Sequence, residues 1–273
     1  TSQLAAMETA DFAALSTAQI TALTTNQIRA LTTNQVVALT TAQASKLSSA
    51  QLVSMTTQQV AAMESVDLVS LTTAQVSSMT SAQIAAFTTY QIGKLSTAQI
   101  SAFSTQAIAA IETDDIAVLS TAQVAALTTN QIKALATNQV VALTTAQIAG
   151  LTTGQIGSLS TNQLVAMETA DIAALSTAAI AALTTGQMAS LTTDQLVALG
   201  TKQVAALTSA QVSAISGANL AKMETADIAA LTTAAIAALK TAQVSSLTTD
   251  QVVALTTAQI FGLTTSQTSA LST

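Results

Sequence analysis

The 273-residue chain has no cysteine, histidine, tryptophan or proline. Without Cys and His it lacks disulfides, the usual zinc ligands and the common nucleophile–base pairs, so only carboxylates, amides and hydroxyls remain for chemistry. An enzyme is not expected, nor is a resident cofactor. Aromatic residues make up 2% and charged residues 7% of the chain, where soluble domains carry about a quarter charged. Any core must therefore be built from Leu, Ile, Val, Met and Ala. The net charge is −6 and the seven cations, Arg29, Lys46, Lys94, Lys133, Lys202, Lys222 and Lys240, are scattered. Phosphate binding needs clustered cations, so a nucleic-acid partner is not expected and these residues read as solvated surface charges. No apolar run of about 18 residues escapes interruption by Thr, Ser or Gln, so no transmembrane segment is expected. The opening TSQLAAMETA lacks the features of a signal peptide. The chain begins and ends in mid-repeat, as a section of a longer protein or assembly would.

What the chain does contain is one repeating unit, which makes residues 1–273 a single array. In rows of eight from Met7 the consensus is L-[ST]-T-x-Q-[IV]-x-A, as in LTTNQIRA at 23–30 and LTTDQVVA at 247–254. The leading position is apolar at every occurrence from Met7 to Leu271. The Ile position five residues later is large and apolar except at Ala44 and Thr268. The register never slips, so each unit must meet its neighbours in the same way.

Spacing within the octad predicts a helix start. Ser or Thr followed three residues later by Gln is the capping-box pattern, in which hydroxyl and amide each satisfy an orphan backbone N–H. Thr24 with Gln27 and Ser160 with Gln163 are instances. The apolar residues flanking that box, such as Leu23 and Ile28, form a hydrophobic staple. One long helix is excluded by phase, because eight residues at about 100° each leave the Leu row drifting by about 80° per octad. A β-solenoid is the remaining rival, favoured by the Thr and Val content. It fits the pattern less well, because Ile, Ala and the next Leu fall on both faces of a strand. The expected fold is all-α: a superhelical solenoid of very short capped helices, one per octad, stable only through stacking.

Acidic octads recur at a longer period. They start at Met7, Met63, Ile111, Met167 and Met223, near seven octads apart. Two explanations fit this spacing: a superhelical turn of six to seven octads, or tandem duplication of a longer segment. These octads hold eleven of the thirteen acids: Glu8 and Asp11, Glu64 and Asp67, Glu112 with Asp114 and Asp115, Glu168 and Asp171, Glu224 and Asp227. An axial row of such carboxylates is a candidate Ca²⁺ site, since that ion takes six to eight oxygen ligands. The simpler explanation is that acids in a helix's first turn complement its dipole, with Asp standing in for Gln. Paired carboxylates also serve glycoside cleavage, but equivalent copies without an aromatic sugar platform argue against it. The Thr-Thr pairs offer a hydroxyl array for ice or a polysaccharide, although capping already accounts for the first Thr. Tyr90, Phe12, Phe87 and Phe103 read as packing variants, whereas Phe261 lies off the apolar rows.

Two resemblances follow from these units. LTTDQVVAL at 247–255 resembles the start of the first repeat helix in transcription-activator-like effectors, over about nine residues, and supports only the helix start. The LSTAQ, LTTAQ and LTTNQ units across the whole chain are similar to the octapeptide tracts of large bacterial secreted or surface adhesin-like proteins. That resemblance implies an extracellular or cell-surface location and a stalk or filament that self-associates end to end. The alternative is a binding module that takes Ca²⁺, glycan or ice through its acidic or Thr rows.

Overall fold

The computed structural model describes residues 2–271. Among these residues are 34 α-helices of four to six residues, one for each octad, from Ser2–Ala5 to Thr265–Ala270, and no strands. None is long and apolar enough to cross a membrane. They are numbered α1 to α34 in chain order, and those that follow a Ser or Thr with Gln three residues on begin where the capping box places them. In α8 (Thr57–Ala62) the Thr56 hydroxyl accepts from the Gln59 amide N–H at 3.2 Å. The Gln59 Oε1 accepts from the Thr56 N–H at 2.7 Å. A β-solenoid would leave these reciprocal bonds unmade, so the helical form prevails.

Two successive extended residues then redirect the chain. After α8 they are Met63 (φ −60, ψ 139) and Glu64 (φ −67, ψ 144). No described residue has positive φ, so the turn needs no glycine, and pairs as different as Leu31-Thr32 and Met63-Glu64 form it. The leading apolar residue closes the helix with a tight bond, as in Met63 N–H to Val60 carbonyl at 3.2 Å. Such helices are too short to persist alone in water, and their stability comes from packing.

That packing joins helices three apart. Thus α4 (Thr25–Arg29) meets α7 (Ser49–Ser54), and α26 (Thr201–Ala205) meets α29 (Thr225–Ala230). The chain forms two compact units, Thr1–Ala142 and Leu143–Thr273, and this order holds within each. Away from the chain's ends the Ile positions are sealed, with Ile92, Ile132 and Ile228 at 0% exposure, and the leading positions nearly so, as at Leu95 and Leu231. Full burial of side chains this size contributes about 1.5–3 kcal/mol each, which makes the two apolar rows the main source of cohesion. One coil therefore takes between three and four octads, about half the six to seven considered from the acidic period. The 56 residues separating Met7 from Met63 span two coils. The angle of the Leu-Thr corner sets the coil, and no side-chain pattern within the octad records that angle.

Candidate functional site

The repeated Gln holds the structure together with both ends of its amide. Its oxygen completes the cap of its own helix, while its nitrogen reaches the preceding coil. The Gln59 Nε2 donates to the carbonyls of Ile28 at 3.0 Å and Leu31 at 2.7 Å. In the second unit the Gln195 Nε2 donates to Leu164 at 3.0 Å and Met167 at 2.9 Å. Gln259 does the same to Ile228 at 3.1 Å and Leu231 at 2.7 Å. The acceptors lie 28 and 31 residues earlier; the nearer is the leading residue's carbonyl just past the helix end, and the farther already takes the bond that closes the helix, as Ile28 does from the Leu31 N–H at 3.1 Å. Each coil thus supplies the donors that the previous coil's helix ends require.

Two nearly identical octads separate the effect of sequence from that of stacking. Gln27 and Gln35 both follow LTTN, and both close their capping boxes. Gln27 is half-buried and bonds only within its own cap, whereas Gln35 is 1% exposed and its Nε2 donates to Leu4 and Met7. Burial follows the neighbouring coil.

The acidic octads depart from this clamp. Their glutamates, Glu8, Glu64, Glu112, Glu168 and Glu224, occupy the N-cap position, are exposed and make no side-chain cap bond. Their aspartates take the Gln position. Asp11 is exposed, but Asp67, Asp115, Asp171 and Asp227 are buried. Among the described residues, no three of these acids come together in a group able to hold a metal ion. Asp114 is exposed beside buried Asp115. Burial pushes the Asp67, Asp115 and Asp227 carboxyls above the ordinary carboxylate range, and the adjacent Glu64, Glu112 with Asp114, and Glu224 push the same way. Opposing this, each accepts a hydrogen bond from a Thr hydroxyl of an earlier coil, at Thr41, Thr89 and Thr201. Asn219, at the same octad position, accepts from the Thr193 hydroxyl at 2.8 Å. The Thr at the third octad position thus has a partner 26 residues later at Asp67, Asp115, Asn219 and Asp227. Sequence reasoning missed this role, and the signal available to it was the constant 26-residue offset.

With one unit repeated at every octad and one clamp repeated between coils, comparison with known families becomes decisive. The ALTTAQ repeat matches residues 4–41, 60–97, 108–145, 132–161, 164–201 and 220–257, which together exceed half of the chain. The chain belongs to the ALTTAQ repeat family. No match was found among curated proteins.

The ALTTAQ octad also explains the odd side chains. Phe12, Phe87 and Phe103 fill apolar-row positions and are buried, with Phe87 and Phe103 ring centroids 6.5 Å apart. Phe261 is exposed. Tyr90 is not a packing variant: it takes the variable fourth octad position, which faces solvent, and is 67% exposed. The Lys94 ammonium sits 5.1 Å from its ring centroid. Tyr90, Val66, Val69 and Lys94 line an open surface depression, a local apolar spot on an otherwise small-residue surface.

Proposed function

We propose that this ALTTAQ array is a structural element, a stalk or filament segment of an extracellular or cell-surface bacterial protein, without catalytic activity. The observation that supports this reading is the intercoil clamp of Gln. Because Gln59 and Gln195 make the same two bonds to their preceding coils, adding octads adds coils without a new kind of contact. The same self-complementarity favours association between copies, since the face of one coil suits that of any other with this sequence. A surface poor in charge and lacking Cys and His suits a spacer better than a reactive site.

Negative-stain microscopy and small-angle scattering over a concentration series test this proposal. It expects particles elongated in one direction that join end to end as concentration rises. Isotropic, monomeric particles at every concentration would overturn it.

A further inference from the structure

Where Gln stands, its Nε2 donates to carbonyls 28 and 31 residues earlier. Where Asp67, Asp115 and Asp227 stand, an ionised carboxylate brings only acceptors. The carbonyls at the corresponding offsets are those of Leu39 and Val36 for Asp67, Phe87 and Ile84 for Asp115, and Leu199 and Leu196 for Asp227. These carbonyls have no Gln donor, and the carboxylate in its place brings none into a seam whose residues are buried, an arrangement that costs stability. The Asp67 Oδ2 is buried without a hydrogen-bond partner. We propose that these three aspartates make the stack pH-responsive: their coils are held loosely near neutral pH and tighten when acid places a proton on each carboxyl.

The groups that shift these carboxyls are acidic or neutral. Asp67 lies in α9 (Ser65–Ser70), which packs on α6 (Thr41–Ala44) and α12 (Thr89–Lys94). Glu64 is the charged group that acts on it, α6 has no ionisable residue, and α12 carries Tyr90 and Lys94. Asp115 lies in α15 (Thr113–Ala117), between α12 and α18 (Thr137–Val141), which has none; Glu112 and Asp114 act on it. Asp227, in α29, packs on α26 with Lys202 and on α32 (Thr249–Ala254) with Asp250, and Glu224 acts on it. No lysine is among the groups that shift these carboxyls, and the single donor to each is a neutral Thr hydroxyl.

The direction of the response follows from linkage. Burial and neighbouring acids raise the folded carboxyls above their unfolded values, so the folded chain binds protons more readily than the unfolded one. The stabilisation is full below the unfolded Asp value of about 3.9 and is lost as pH rises through the folded value. This runs opposite to ordinary acid denaturation.

Urea unfolding from pH 3.5 to pH 8, on wild type and on the Asp67→Asn/Asp115→Asn/Asp227→Asn variant, tests the proposal. Asn keeps the shape and the Thr bond, as Asn219 shows. The variant is expected to be more stable than wild type at pH 8, and the ratio of their unfolding constants should shrink by about tenfold or more by pH 3.5, since one pKa unit at one site is a tenfold change. A ratio constant across the range overturns the proposal. Should the variant fail to fold, hydrogen exchange on wild type decides. Amides in α9, α15 and α29 should gain protection on acidification relative to those in α8, after correction for intrinsic rates, and an equal change in all four would overturn it.

Discussion

The Gln59 side-chain nitrogen donates at 2.7 Å to the Leu31 carbonyl, 28 residues earlier, while the same amide's oxygen caps its own helix. One side chain thereby links local and long-range structure. The capping box fixes where the amide points, and the preceding coil fixes what it meets. A helix of about six residues gains from its neighbours the persistence it lacks alone.

Removing this amide should cost more where a coil lies beneath it. Gln59→Ala strands the Leu31 carbonyl, takes the second donor from Ile28 and should destabilise by about 1–3 kcal/mol. Gln27→Ala loses only the reciprocal cap and should cost about 0.5 kcal/mol. Urea unfolding of the two variants checks the difference, and equal losses would contradict the clamp.

Thr193 and Asn219 should be energetically coupled. Their bond at 2.8 Å predicts a coupling of about 1 kcal/mol in a cycle of Thr193→Val and Asn219→Ala. Additive losses would remove the intercoil role assigned to the second Thr.

One natural defect should be repairable. Ala136 stands at an N-cap, where Gln139 still accepts from its N–H at 2.7 Å but no hydroxyl returns the bond. Ala136→Thr should stabilise by about 1 kcal/mol, read as a higher urea midpoint at unchanged slope.

Position within the octad should decide the cost of truncation. Ile132→Ala removes a sealed core side chain and should cost about 2–5 kcal/mol. Val37→Ala, at an exposed position, should stay within about 0.5 kcal/mol. Thermal unfolding of both variants makes the comparison.

Much of this was legible in the octad. Thr56 and Gln59 signal a helix start through spacing alone, and the rows containing Ile132 and Leu135 mark the core. What lay hidden was what depends on the coil. Gln59 has a second task because Leu31 lies beneath it, and nothing in LTTNQ names that distance. Asp67 reads as a first-turn acid suited to the helix dipole until stacking buries it beside Thr41. Tyr90 and Phe87 are both aromatic and lie three residues apart, and position in the octad decides which of them faces water.

The most direct test is the exchange rate of the glutamine side-chain amide protons, resolved by NMR. Protons on Nε2 of Gln59, Gln83, Gln195 and Gln259, each donating to an earlier coil, should exchange far more slowly than those of Gln27. Exchange of all of them at the rate of free glutamine would contradict the account.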